Sequence, residues 1–376
     1  MSRISAERCA LIDARMTDWV MRDKYERMEW LIGDRNGVIH QGATCAPSVY
    51  RIYSMTKPVV SVIALQLIEE GRLHLFHPIA KFLPEFAAPY VFDRAGPRPA
   101  AGPITVQHLL THTSGLSYGF MSDASGKMMN EQKVMADGAV SLRDDIKKIA
   151  KIPLQFDPGT RWLYSVATDV LGALIEVVED APLQDIVARR ITDPLGMAET
   201  SFNPGVGVKP RLAPLRGGGI DASDGGVLDV LAYPLDDPTF ARGGHGLFST
   251  LGDYAKFAAA LLGDCHGAGQ LLSAHTLAAA TQNHAAPVMP LQIELPPNSM
   301  NPGMNGQGFG LGFAVSQAGG PMISRPGAFG WSGAAETWFN VDPVADCHVV
   351  MMAQNFDWPG ASFTLQNMMY GALRQT

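Results

Sequence analysis

The 376-residue sequence predicts an α/β fold, α+β in its layering, with a central antiparallel sheet flanked by helices and a mainly helical domain inserted into it. Three observations predict it. Strand-like segments lie near the two ends of the chain, helical runs also stand at both ends, and the middle is built of helical segments separated by Pro/Gly-rich loops. The implied division is an α/β domain made from residues 1–77 and 236–376, with residues 78–235 as the inserted helical domain.

Element by element, the first segment, MSRISAERCALIDARMTDWVMRDKYER, interrupts its apolar residues with charges and reads as an amphipathic helix. EWLIGDRNGVIHQGA then sets two short apolar stretches around Asn36-Gly37, a dipeptide suited to the positive φ angles of a tight hairpin. VVSVIALQLIEEG is apolar around most of its circumference and meets Gly71, so a buried central helix with a glycine stop is expected. VQHLLTH, LRDDIKKIAK and ATDVLGALIEVVED supply helices of the insertion, and GLFSTLGDYAKFAAALLG another long helix. GFGLGFAV, AETWFNVD and CHVVMMAQN read as strands, followed by a last helix from about Ser362 to Arg374.

Composition narrows the function classes. Hydrophobic residues at 47% and charged residues at 17% suit a packed globular chain, with no low-complexity tract or repeat. The 29 Lys plus Arg stand against 36 Asp plus Glu, and a net charge of -7 gives no global attraction to nucleic acid or anionic lipid. The N-terminal segment lacks the unbroken apolar core of a signal peptide, and no apolar run has the length to cross a bilayer, so a cytoplasmic protein is expected. Cys9, Cys45, Cys265 and Cys347 form no CxxC pair, which argues for buried reduced thiols over a zinc knuckle or redox motif.

Ser54-Met55-Thr56-Lys57 is the first segment with chemistry in it. On a helix the i, i+3 spacing puts the hydroxyl and the amine on one face, where they can share a proton. Pro58 is tolerated only in a first helical turn, so the helix begins close to Ser54. There the positive end of the helix dipole and a free backbone N–H can stabilise an oxyanion, and burial together with the dipole favours a neutral Lys57 able to act as a base. S-x-x-K also recurs by chance in chains of this size. A second element follows Asp157-Pro158-Gly159-Thr160, where Tyr164 sits at a turn before a helical run; beside a lysine it can relay the serine proton, the alternative being a packing aromatic. The third is Gly330-Trp331-Ser332-Gly333-Ala334, whose small residues let a substrate approach a strand edge, the alternative being a simple glycine turn.

In this order the three elements resemble the motifs S-x-x-K, Y-x-N and K-T-G of the serine β-lactamase and penicillin-binding-protein superfamily. The likeness is closest to class C β-lactamases and family VIII carboxylesterases. It extends over HLLTHTSGL at 108–116, DPGTRWLYS at 157–165 and GHGLFSTLGDYAKF at 244–257. The resemblance implies a β-lactamase/transpeptidase-like fold and a nucleophile at Ser54, with Lys57 and Tyr164 as general-base partners. It further implies an oxyanion hole from the N–H groups of Ser54 and Ala334, and a substrate-facing motif of Trp331, Ser332 and Gly333. Two departures stand out: Val166 takes the place of the family's asparagine, and Trp331 that of its lysine. The W-x-G form favours an esterase over a dedicated β-lactamase. Arg325, seven residues before Ser332, is a candidate to restore some carboxylate binding.

Other signals carry less. Gly330-Trp331-Ser332-Gly333-Ala334 nearly spells G-x-S-x-G but ends in alanine and lacks a strand-elbow-helix setting, so Ser332 is set aside as nucleophile. His108 and His112 have zinc-compatible spacing, but no glutamate follows His108 and no third ligand is identified; structural histidines are expected and no metal. Gly306, Gly308, Gly310 and Gly312 alternate at strand spacing, not in a dinucleotide fingerprint. The expected activity is therefore cofactor-free hydrolysis of a small ester, or of a related amide. A β-lactamase, a D-amino-acid amidase or peptidase and an acyltransferase of the same fold remain alternatives, as does a non-catalytic acyl-ligand-binding protein. The acyl chain, physiological substrate and oligomeric state depend on cleft and surface shapes that the sequence does not specify.

Overall fold

The computed structural model describes residues 3–134, 141–217, 233–237, 241–263, 271–288, 291 and 303–374. Helix α1 (Ala6–Met21) starts at Ser5, whose side chain accepts the Arg8 N–H, and buries Ile12 and Met16. Strands β1 (Glu29–Asp34) and β2 (Gly37–Ala43) form the expected hairpin. Only Gly37 of the Asn36-Gly37 pair has a positive φ, +127°, while the Asp34 carboxylate accepts the Asn36 N–H at 2.7 Å.

Helix α2 (Thr56–Glu69) is buried from Thr56 through Leu65 and ends before Gly71, whose φ of +71° is the left-handed stop foreseen for it. Helices α3 (Val106–Leu110), α4 (Leu142–Ile149) and α5 (Ala167–Glu179) follow, α5 packing on α2 and α3. The long helix expected at 246–263 is shorter: Phe248–Ser249 pairs instead with Tyr50–Arg51, and α6 (Leu251–Leu261) begins where Thr250 caps the Asp253 N–H. The threonine cap competes successfully with helix continuation because it satisfies an N–H that would otherwise be orphaned.

Strands β3 (Gln307–Phe309), β4 (Ala314–Ser316), β5 (Phe329–Ser332), β6 (Trp338–Asp342) and β7 (Cys347–Met352) complete one seven-stranded sheet. Its order is β2-β1-β7-β6-β5-β4-β3, with every neighbouring pair antiparallel. Alternation sorts the side chains. Leu31, Val350, Phe339, Phe329 and Trp331 face the core shared with α2 and α6, whereas Trp30, Ile32, Val349, Met351 and Trp338 face α1 and the last helix, α7 (Ala361–Ala372). Helices from both ends of the chain therefore cover one face of the sheet, as the sequence led us to expect, and the other face backs α2. Gly312, φ +97°, lets the chain after β3 run against Ser61 of α2, where a Cβ would stand 2.2 Å from the serine Cβ. Among the described residues no helix is long and apolar enough to cross a membrane.

Candidate active site

Ser54 lies on a single 3-10 turn, Tyr53–Met55, that leads directly into α2. Pro58 sits within the first turn of that helix, where its missing N–H costs nothing. The residue before the serine, Tyr53, holds a left-handed φ of +44°, an uncommon state for a bulky side chain. Its ring is kept there by edge-on contacts with Tyr233 at 5.4 Å and Phe356 at 5.5 Å. Strain of this kind persists only where the surroundings over-determine it, and here it bends the backbone at the serine.

Around Ser54 Oγ the structure gathers both predicted partners. Tyr164 Oη donates to Ser54 Oγ at 2.6 Å, and Lys57 Nζ donates to the same oxygen at 3.2 Å. Lys57 is buried, and its ammonium head also lies 4.7 Å from the centre of the Tyr164 ring and 5.2 Å from that of Tyr118. Tyr164 is held in an aromatic cluster with His112 at 4.9 Å, Tyr118 at 5.3 Å and Trp331 at 5.5 Å between ring centres. Trp331 in turn packs edge-on against Phe309 at 5.3 Å.

Beyond β5, Gly333 runs against the chain just before the serine: a Cβ there would come 2.4 Å from the Ile52 carbonyl oxygen, so only glycine fits. Thr337 Oγ1 donates to that same carbonyl at 3.3 Å. Gly333, Ala334 and the serine turn are thereby neighbours across the sheet edge. Outside the helices and strands, the Ala334 N–H gives no backbone hydrogen bond to the described residues. Ser332 lines a cavity of about 110 Å³ with Trp338 and Asn340, of the sheet face that carries α7, and with Trp358 from the segment before that helix, so it stands on the opposite face of the sheet from Trp331. Val166 is fully buried at the start of α5, its N–H donating to the Ser117 carbonyl at 3.2 Å.

The neighbourhood contains groups that motif reading passed over. Asp169, on the first turn of α5, is wholly buried, and burial raises its carboxyl to about 6 despite Lys57 nearby. Gly244 donates its N–H to Asp169 Oδ1 at 2.7 Å and accepts from Lys57 Nζ through its carbonyl at 2.6 Å. His245 Nδ1 stands 3.9 Å from the same carboxylate, but burial, Lys57 and Arg242 lower the imidazole to about 3, so this is not an ion pair at neutral pH. The sequence offered one usable signal, a lone aspartate in the otherwise apolar ATDVLGALI run.

Other expectations resolve on geometry. Helix α3 ends at Leu110, so His108 and His112 do not share a helical face: His108 joins Thr105 in a capping box, and His112, φ +54°, turns into the aromatic cluster with Nδ1 3.3 Å from Ser165 Oγ. Burial and Lys57 hold the His112 imidazole well below its ordinary range. Arg325, offered as a carboxylate partner, instead lies near Cys347 and Tyr370, beside the helices of the chain ends; the loop after β4 carries it behind the sheet. Cys347 is buried while Cys9 and Cys45 are only half-buried, all three with free thiols, and Cys265 lies outside the described residues.

Comparison with known proteins identifies the family. Protein Rv1367c of Mycobacterium tuberculosis is 34% identical over 332 residues, covering 82% of this chain and 78% of the relative. Esterase EstB of Burkholderia gladioli is 38% identical over 160 residues, 41% of this chain and 38% of that protein. Among solved structures, EstCE1, described as a hydrolase with promiscuous acyltransferase activity, superposes with a TM-score of 0.78 at 23% identity and covers 97% of this chain and 98% of its own. That match establishes the fold, a β-lactamase/transpeptidase-like one with a large antiparallel sheet between helices. The family model for β-lactamase matches residues 32–368, and the chain belongs to the β-lactamase family.

Proposed function

We propose that the protein is a serine hydrolase that cleaves small carboxylic esters through an acyl-enzyme on Ser54. The observation that carries the reading is the convergence of Tyr164 Oη, at 2.6 Å, and Lys57 Nζ, at 3.2 Å, on Ser54 Oγ. In the first step Ser54 Oγ bonds to the ester carbonyl carbon as its proton passes to the Tyr164/Lys57 pair, which acts as base in its singly deprotonated form, and the tetrahedral oxyanion is held by the N–H groups of Ser54 and Ala334. The C–O bond to the alcohol then breaks, with the pair returning the proton to the leaving oxygen. Water attacks the acyl-serine under the same base, releases the acid and restores the hydroxyl. Substrate, water and chain supply every proton and electron pair, so the scheme calls for no cofactor.

Trp331, with Phe309 behind it, offers an apolar wall for the acyl or alcohol group, Gly333 continues that strand, and the buried Val166 supplies no amide. The esterase among the relatives supports this substrate class. Treating the protein with a fluorophosphonate and locating the adduct by mass spectrometry tests nucleophile and reaction class together. The expected result is one adduct on the Ser54 peptide, absent in Ser54→Ala; an adduct on another residue, or labelling that survives the substitution, overturns the reading.

A further inference from the structure

We propose that Glu336 is a positioning residue for the oxyanion: its buried carboxylate fixes the turn Gly333–Thr337 against the start of α7 and so holds the Ala334 N–H beside Ser54. The inference rests on the reading of Ser54 as nucleophile and Ala334 as oxyanion donor.

Two costs coincide at this residue. Glu336 adopts a left-handed φ of +62°, a conformation suited to glycine, and its side chain is completely buried. Buried carboxylates ordinarily require a cation, and among the described residues none forms a salt bridge with this one. Hydrogen-bond donors take that place. Ser362 gives Glu336 Oε1 its backbone N–H at 3.0 Å and its hydroxyl at 2.8 Å, and Tyr25 Oη donates to Oε2. At the same helix start the Ala361 N–H donates to Tyr25 Oη at 3.2 Å. A glycine would satisfy the turn with neither cost, so what the glutamate contributes is the tie between the turn and α7.

Neighbouring residues of the turn are tied to the same segment. Trp358, also left-handed with φ +49°, donates Nε1–H to the Ala334 carbonyl at 2.7 Å, and the Asn355 N–H donates to Ala335 at 2.9 Å. Three consecutive residues, Ala334, Ala335 and Glu336, are therefore gripped by three different groups between Asn355 and Ser362. On the other side Thr337 and Gly333 rest on the Ile52 carbonyl, two residues before Ser54. An N–H between two such anchors is preorganised, which is what an oxyanion donor requires.

The test uses Glu336→Gly, which suits the backbone and removes the carboxylate, Glu336→Gln, which keeps an oxygen for Ser362, and Trp358→Phe, which removes the indole donor together with part of the ring. Readouts are the pre-steady-state acylation rate and KM for p-nitrophenyl acetate, inhibition by phenylboronic acid as a tetrahedral anion on Ser54, circular dichroism and Tm. We expect Glu336→Gly to lower acylation by roughly tenfold to a hundredfold, short of the 10² to 10³ typical of deleting a donor outright. KM should stay within about twofold, boronate affinity should fall in step with the rate, and Glu336→Gln should recover part of both, as expected for a transition-state contact. Trp358→Phe should lower both by a smaller factor. Wild-type acylation and boronate affinity in a folded Glu336→Gly protein overturn the proposal, as does a loss of Tm with boronate affinity unchanged in both Glu336 variants. Failure of the wild-type protein to take fluorophosphonate on Ser54 would instead remove the reading on which the proposal stands.

Discussion

Asp169 and Lys57 are joined through a single residue: Gly244 gives its N–H to the carboxylate at 2.7 Å and its carbonyl to the ammonium at 2.6 Å. The carboxylate thus orients the acceptor that aims Lys57 at Ser54, although it touches neither. Burial raises Asp169 to about 6, above the unfolded value of 3.8. With that sign, the stability it contributes is complete below pH 3.8 and is lost as pH rises through about 6. At pH 7.5 the charged carboxylate is a net cost, on the order of 1–3 kcal/mol. Asp169→Asn should therefore be neutral or stabilising at pH 7.5 by urea denaturation, while kcat for a p-nitrophenyl ester falls roughly tenfold as the Gly244 acceptor loosens. A variant that loses stability and keeps full activity would contradict this role.

Tyr164→Phe isolates one oxygen. The ring remains to pack against His112, Tyr118 and Trp331, so the fold should be retained, but the 2.6 Å hydrogen bond to Ser54 Oγ disappears. We expect kcat to fall by roughly a hundredfold or more, the usual loss for a positioned base, with a much smaller change in KM. An unchanged kcat would confine the base role to Lys57.

His348, on β7, is one of the buried histidines, with His112 and His245, that give the stability profile its acid side. Burial lowers its imidazole to about 4, only partly opposed by Asp34. Below the ordinary value of 6.5 the unfolded chain binds a proton that the folded chain refuses until about pH 4, so stability is lost as pH falls through that window. Between pH 7 and pH 5 this histidine alone should account for about 2 kcal/mol. Urea denaturation of His348→Gln should show a correspondingly smaller loss between those two pH values. The comparison cancels Asp169, which acts in the opposite direction in both proteins. Identical pH dependence for the two would exclude the assignment.

What was legible in the sequence had local causes. Asn36-Gly37 encodes its own hairpin, Gly71 its own helix stop, and Ser54, Lys57 and Pro58 share one helical turn, so spacing alone brings them together. Tyr164, 110 positions from Ser54, was reached through motif order, and the structure supplied the distance. Residues whose role depends on long-range packing gave little or no signal. The strain at Tyr53 is imposed by Tyr233 and Phe356, Glu336 is explained only by Tyr25 and Ser362, and Arg325 was displaced by a loop whose path the sequence does not state. Where the cause of a position lies hundreds of residues away, only the fold reveals it.

The final prediction concerns substrate choice: p-nitrophenyl esters of short acids, about two to six carbons, should be cleaved far faster than penicillins or cephalosporins. Val166 is fully buried at the start of α5 and has no side-chain amide for the acylamino group of a β-lactam, which would be desolvated without a partner. Trp331 stands where the resemblance places a cation for the β-lactam carboxylate, and each lost charge-assisted hydrogen bond is worth about 1.5 to 3 kcal/mol. Together the two losses amount to roughly 10² to 10⁴ in specificity, at tenfold per ~1.4 kcal/mol. Arg325 does not offset them, since it lies near Cys347 and Tyr370, beside the helices of the chain ends. An activated ester needs neither contact. It needs Ser54, the Tyr164/Lys57 pair and two N–H donors, and it gains an apolar wall from Trp331 and Phe309, whose rings meet at 5.3 Å. The decisive comparison is kcat/KM for p-nitrophenyl butyrate against a chromogenic cephalosporin on one preparation; a ratio of roughly a hundredfold or more for the ester is expected, and a higher value for the cephalosporin would overturn the esterase assignment.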